Sequence, residues 1–356
     1  MKNENATVTD ASIILTYRCP MKCKMCDIWN NPTDKNKELT LKDLEKLPQL
    51  KFINVTGGEP FIREDLPKII ELLYTKAPRI VISTSGWYKE SVIALAKRFP
   101  NIGIRISIEG LSQCNDDLRG QPGGFDKGLS TLLELKRMGL KDIGFGQTIS
   151  NYNSHDILPL YELSKNLGLE FATAAFHNSY YFHKDNNFII NKEEVKNNIK
   201  ELMDRLLKEK HPKSWFRAFF NLGLINYIDG GKRMLPCEAG TVNFFVEPYG
   251  EVYPCNGLED KFWKSSMGNI RDCNSFQEIW NSQQAEEVRK CVRDCPKNCW
   301  MVGTAAPVMK KYIKHPAFWV MKNKLRSLRN KKPCYTIKQC DVGQSPLQGD
   351  GVWPRK

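Results

Sequence analysis

Between residues 11 and 176 the chain alternates β-rich and helical runs six times. The β runs are "ASIILT" (11–16), "KFINVT" (51–56), "RIVIST" (79–84), "IGIRISIE" (102–109), "DIGFGQTI" (142–149) and "LEFATAAF" (169–176). The helical runs carry their own boundary signals. "LTLKDLEKL" opens at Thr40 with Asp43 three residues on, a loose capping box. "EDLPKIIELLY" has Asp65 near its N-cap and Pro67 in its first turn. "FDKGLSTLLELKRMG" closes on Gly139. Such alternation predicts parallel strands joined by helical crossovers. The fold class is therefore α/β, and six units predict an open, partial (β/α)6 TIM-like barrel. Chemistry in such folds gathers at the C-terminal ends of the strands. Cys19, the segment from Gly57 to Pro60, Ser83 to Ser85, Glu109 and the segment from Gln147 to Asn151 all fall there.

The pattern then changes, which predicts four regions: a barrel over 1–185, a helical bridge over 186–236, a small cysteine-rich domain over 237–303 and a basic tail over 304–356. The third contains one hairpin signal, "TVNFFVEPYGEVYPC", with a turn at "EPYG". Apolar residues are 41% and charged residues 26%, a globular composition. No apolar run reaches the ~18 residues of a membrane span. The opening "MKNENATVTD" is polar rather than signal-like. The expectation is a cytoplasmic protein, where clustered cysteines lean toward metal rather than disulfides.

The twelve cysteines are unevenly placed. Cys19, Cys23 and Cys26 lie within "TYRCPMKCKMCDIW" and six more lie between Cys237 and Cys299. Three closely spaced thiols are one short of a closed four-ligand site. Soft thiolates in this spacing suit a cubane iron–sulfur cluster with one iron left open, and suit structural zinc less well.

C-x-x-x-C-x-x-C after a first strand, then G-G-E-P (Gly57, Gly58, Glu59, Pro60) after a second, resembles the radical S-adenosylmethionine (SAM) superfamily. The resemblance implies a [4Fe-4S] cluster on Cys19, Cys23 and Cys26 whose open iron is chelated by SAM. It implies reductive cleavage of SAM to a 5′-deoxyadenosyl radical that abstracts hydrogen, with the electron supplied by a reductase such as flavodoxin or ferredoxin. Gly57 and Gly58 remove side chains where backbone would meet the SAM ammonium, and Glu59 would fix the turn. Glu109, with Ser107 two residues before it on the same strand face, would accept from ribose hydroxyls. Arg119 would pair with the SAM carboxylate, the bland alternative being an ordinary ion pair. Met25 stands where the family usually has an aromatic residue, and its thioether would contact the adenine.

The later cysteines resemble the SPASM and twitch extensions of that superfamily. Cys237, Cys255, Cys295 and Cys299 would close one auxiliary [4Fe-4S] cluster, with Cys291 as an alternate ligand and Cys273 spare. A second auxiliary cluster would need Cys334 and Cys340 as well, and zinc remains the alternative for the group. Full ligation favours an electron-accepting role and a net oxidation. Cys114, near the barrel mouth, is a candidate hydrogen donor for epimerisation or else an inert loop thiol.

For the substrate, the absence of a leader-gripping domain before Ala11 favours a small molecule: a sugar, an aminocyclitol or a lipid-linked saccharide. A peptide maturase is the alternative within the class. A non-catalytic zinc or iron–sulfur protein binding nucleic acid is the alternative outside it. "FHNSYYFH" (176–183) is a candidate pocket lining. The net charge is +13, and residues 310–332 hold nine Lys or Arg and no Asp or Glu. With "AFWVM" at its centre, this segment is a candidate for peripheral contact with the inner membrane face, or else a solubilising tail.

Overall fold

The computed structural model describes residues 8–257, 265–329 and 331–335. Six strand–helix units come first: β1 (Asp10–Ile14), α1 (Leu41–Glu45), β2 (Phe52–Thr56), α2 (Leu66–Tyr74), β3 (Ile80–Thr84), α3 (Lys89–Arg98), β4 (Gly103–Ser107), α4 (Ser112–Arg119), α5 (Gly124–Arg137), β5 (Ile143–Ile149), α6 (Ile157–Asn166) and β6 (Glu170–Ala175). Two long helices follow, α7 (Lys192–Lys208) and α8 (Pro212–Asp229). Then come β7 (Asn243–Val246), β8 (Glu251–Tyr253), β9 (Gly268–Asn269), α9 (Phe276–Trp280), α10 (Gln283–Arg293), α11 (Val302–Lys311) and α12 (Lys314–Leu328).

The strands form one open sheet in the order β6-β5-β4-β3-β2-β1-β7-β8-β9. β1 to β6 are parallel throughout, as the alternation requires. The hairpin expected in the cysteine-rich domain exists, but β7 pairs in parallel with the free edge of β1, Asp10 opposite Asn243. The sheet therefore runs without a break from the barrel into the region of the later cysteines.

The two faces of the sheet differ in side-chain size. Ile13, Ile53, Val55, Ile80, Ile82, Ile104, Ile106 and Phe145 are buried with the covering helices in the main core. The alternate residues face the other way. Registers there join Ser12 to Asn54, Ser107 to Gly146, Gly146 to Ala172 and Thr148 to Ala174. Small residues on this concave face leave room inside the partial barrel. At its N-terminal end the opening is closed by charge: Arg105 and Arg79 meet Asp142, and Lys213 and Arg217 meet Glu170.

Local signals account for many boundaries. Thr40 and Asp43 form a full capping box. Asp65 stands at its N-cap but caps nothing, its carboxylate being taken by Arg63 instead. Gly139 follows α5 in the left-handed region, φ 88°. Helix α4, "SQCNDDLR", is too polar to announce itself by periodicity.

The bridge is fixed to the cysteine-rich region by one large side chain. Trp300, 3% exposed, lies against α8 and donates from Nε1 to the Phe220 carbonyl at 2.9 Å. Gly223 makes this approach possible, because a methyl group there would collide with the indole. We expect Gly223→Ala to destabilise the fold by about 1–3 kcal/mol and Trp300→Ala by about 3–5 kcal/mol. Denaturant titration checks both, and unchanged midpoints would disprove this packing.

Candidate active site

The cysteine loop is held from two sides. On one side the turn after β2 passes against it, backbone to backbone. Gly58 N–H donates to Thr16 O at 2.7 Å, and Glu59 N–H donates to Arg18 O at 2.9 Å. A Cβ at Gly57 would strike the Thr16 carbonyl and one at Gly58 the Arg18 carbonyl, and Gly57 also has φ 143°. On the other side, Lys22 and Lys24 donate to the carbonyls of Arg119 and Leu118 at the end of α4. Gly120, φ 61°, leaves room for Lys22 there.

Two buried carboxylates lock this seam. Glu59, fully buried, accepts from Phe61 N, Thr84 Oγ1, Ser85 N and Ser85 Oγ, which ties the end of β2 to the end of β3. Glu38 accepts from Thr16, Thr33 and Arg18, with Arg63 at 3.5 Å. Burial pushes the Glu38 carboxyl up, but the hydrogen bonds from Arg18, Thr16 and Thr33 outweigh it and hold the group below its ordinary value. Pro60 begins a single 3-10 turn behind Glu59.

The expected cofactor contacts divide. Glu109 and Arg119 meet each other in a buried ion pair at 3.1 Å. Thr148 N–H donates to the second carboxylate oxygen at 2.6 Å. Burial raises the Glu109 carboxyl and Arg119 opposes the shift. Arg119 also acts on Cys19, Cys23 and Cys26 through its charge. Ser107 ends β4 on the concave face. Met25 is buried against Leu118 and Phe176, beside Cys23, Cys26 and Cys114. Cys114 sits on α4, with Sγ 3.5 Å from the Tyr152 carbonyl. Burial, then Asp156, pushes its thiol up to about 12, so it stays protonated.

Cys237, Cys255, Cys295 and Cys299 line one cavity together with Arg233 and Lys297. Cys291 is absent from that lining, and Cys273 instead approaches the Ile270 carbonyl at 3.3 Å. Cys334 follows α12, and Cys340 lies outside the described residues. Arg233 donates to the Cys299 carbonyl and comes within 4.0 Å of its Sγ. Two cations beside four thiols suit a negatively charged thiolate cluster. Among the described residues, Cys114, His155 and Asp156 offer ligand atoms within 4.8 Å of one another.

Sequence reasoning missed Glu38, Arg233, Lys297 and Asn187. The cations flanking Cys237 and lying between Cys295 and Cys299 were a usable signal. Asn187 was not: its amide bridges the carbonyls of Met25 and His177 at 3.0 and 3.1 Å, a contact between distant segments. That links the cysteine loop to "FHNSYYFH". The His177 ring packs 5.0 Å from Phe182, which itself lies by Cys26. Its Nδ1 is 3.1 Å from the Ala175 carbonyl, while Nε2 is shut off from solvent with no hydrogen-bond partner. Burial lowers its proton affinity and Lys297 adds to the effect, so the imidazole is neutral. The Ala175 contact then makes Nδ1 the protonated nitrogen and leaves the Nε2 lone pair unused.

Two family models match the chain: the radical SAM superfamily over residues 13–164, and the iron-sulfur cluster-binding SPASM domain over residues 237–300. The chain belongs to the radical SAM superfamily and carries a C-terminal SPASM domain. Its cofactors are SAM, the cluster that holds SAM and an auxiliary iron–sulfur cluster. Similar curated proteins include the antilisterial bacteriocin subtilosin biosynthesis protein AlbA of Bacillus subtilis, 24% identical over 83% of this chain and 66% of its own length. Mycofactocin maturase MftC of Mycolicibacterium smegmatis is 24% identical over 78% of this chain and 71% of its own. Fe-coproporphyrin III synthase of Methanosarcina barkeri is 30% identical over 42% of this chain and 39% of its own. The chain thus spans between 39% and 71% of the length of these relatives.

Among solved structures, anSMEcpe with bound AdoMet and the Cp18Cys peptide has a TM-score of 0.61 at 16% identity, over 91% of this chain and 99% of that one. Streptococcus suis SuiB bound to precursor peptide SuiA also has a TM-score of 0.61, at 15% identity over 81% and 70% of the two chains. These likenesses establish the fold.

The matches correct the expectation of a small-molecule substrate. Alignments to a bacteriocin-biosynthesis protein and to a maturase cover about four-fifths of this chain, whereas the alignment to the porphyrin-forming synthase covers less than half of it. A leader-gripping domain is a separable module, so the residues before Ala11 carry no information about what the barrel accepts.

Replacing Cys19, Cys23 and Cys26 together by Ala should lower bound iron from about eight per chain to about four, with cubanes at both sites. Gly58→Ala should give the same iron loss through displacement of the Arg18 carbonyl. Full iron in Gly58→Ala would mean that the two loops do not need this contact.

Proposed function

We propose that this protein is a peptide-modifying radical SAM enzyme that oxidises a residue of a precursor peptide. The observation that carries the reading is the extent of the matches: those covering about four-fifths of the chain are to proteins named for bacteriocin biosynthesis and mycofactocin maturation. When bound, the cofactors would supply the redox chemistry: reductive cleavage of SAM to a hydrogen-abstracting radical, with the electron from a reductase such as flavodoxin or ferredoxin, and an acceptor in the auxiliary cluster for the electron lost by the substrate.

The chain's own residues have narrower tasks. Cys19, Cys23 and Cys26 hold the first cluster, and Cys237, Cys255, Cys295 and Cys299 close the second. Gly57 and Gly58 present backbone toward the SAM ammonium. The buried Arg119, already bonded to Glu109, keeps a positive charge beside the cysteine loop. Ser107 and Met25 line the SAM site. Four thiols lining one cavity would close the second cluster and leave no open iron there for substrate, which supports electron transfer over substrate ligation.

The deciding experiment is anaerobic reconstitution with SAM, reductant and a panel of candidate precursor peptides. Mass spectrometry should show 5′-deoxyadenosine and a peptide lighter by two hydrogens. Unchanged peptide mass in H2O, with one deuterium gained at carbon when the reaction is run in D2O, would instead indicate epimerisation, with Cys114 as hydrogen donor.

A further inference from the structure

The last helix separates its residues into two faces. On the inner face, Trp319, Val320 and Asn323 are buried. Trp319 meets the Phe219 ring of α8 edge-on at 5.8 Å and donates from Nε1 to the Cys334 carbonyl. Asn323 accepts from Cys334 N–H at 2.6 Å. Lys324 reaches back to the carbonyls of Leu207 and Glu209. These contacts fix the rotation of α12 about its axis.

On the outer face, Phe318 is 64% exposed, Met321 55%, Leu325 51% and Leu328 82%. The spacing i, i+3, i+7, i+10 places them in one stripe, about 15 Å long at 1.5 Å per residue. Lys314, Lys322 and Arg329 are exposed along it, with Lys310, Lys331 and Lys332 near its ends. No acidic residue lies anywhere between residues 310 and 332. Four large apolar side chains in one exposed row are more than the scattered exposure ordinary on a monomer.

We propose that α12 is an interfacial helix that seats this protein on an anionic lipid surface. The stripe would enter the headgroup–acyl boundary while its cations meet lipid phosphates. At fifteen residues α12 lies on a membrane rather than across it, and no helix among the described residues is long and apolar enough to span one. Charge selects lipid over other coverings. A second copy would bring one cationic face against another. Residues 336–356 hold three Lys or Arg against two Asp and could not neutralise the helix. A single outward helix also presents a ridge rather than the groove that an amphipathic peptide needs.

The test is co-sedimentation of the full iron-loaded chain with vesicles. Phosphatidylcholine vesicles containing phosphatidylglycerol should pellet the protein at low salt, and pure phosphatidylcholine should not. Raising the salt should release it, because the attraction is screened. Phe318→Ser with Leu325→Ser should reduce the bound fraction about tenfold or more, as should Lys322→Glu with Arg329→Glu. All four residues are exposed, so circular dichroism and iron content should match the parent. Several outcomes would overturn the proposal. The parent staying in the supernatant at low salt would do so, as would equal pelleting by the variants. Vesicle binding gained only on deleting 336–356 would assign the stripe to that segment. A dimer in light scattering, broken by Phe318→Ser, would assign it to a second copy. Lost precursor-peptide affinity with vesicle binding unchanged would assign it to the peptide.

Discussion

The contact between the loop after β1 and the turn after β2 is what the remainder of the site depends on. Two backbones meet there with no side chain between them. Gly58 and Glu59 donate to the carbonyls of Thr16 and Arg18, one turn before the first cysteine. Amide donors spent in this way set the height at which Cys19 leaves the sheet. Because a buried backbone group without a partner costs about 1–3 kcal/mol, the seam resists being pulled apart. Glu59 below and Glu38 beside it convert a soft loop crossing into a rigid one, since each carboxylate accepts from several donors on different segments.

From that seam the site extends in two directions. Toward α4, the cysteine loop pairs with the carbonyls of Leu118 and Arg119, and this brings the guanidinium of Arg119 near all three thiols. Toward the end of β6, Asn187 ties the Met25 carbonyl to His177. His177 in turn feels the charge of Lys297, from the cavity lined by the other four cysteines. One continuous sheet carries both cysteine regions, because β7 of the later region is a direct neighbour of β1.

The two faces of the barrel sheet differ in side-chain size. The concave face carries Ser, Asn, Gly and Ala where the outer face carries Ile, Val and Phe. The ion pairs of Asp142 and Glu170 shut the far end. The seam, Met25 and His177 lie at the opposite end, by the strand C-termini.

The sequence by itself determined the barrel and the cofactor classes, and it placed Gly57 to Pro60 at the end of a strand. Those features are local: a period of strand and helix, cysteines within eight residues, glycines in a row. Thr40 with Asp43 capped its helix as the spacing required, because a capping box closes within four residues. Tertiary structure alone decided the rest, and each instance involves partners far apart in the chain. The pairing of β7 with β1 spans more than two hundred residues. Glu109 and Arg119 were read as separate ligand contacts, yet their side chains meet because α4, a helix too polar to show periodicity, turns Arg119 back over the strand end. Cys237, Cys255, Cys295 and Cys299 were already the four singled out by sequence, and folding brings them to one cavity whose lining lacks Cys291 and Cys273. The rotation of α12, set by Trp319 and Asn323, determined that Phe318 faces outward. Spacing along a chain specifies what can meet locally, and only packing specifies which distant groups do.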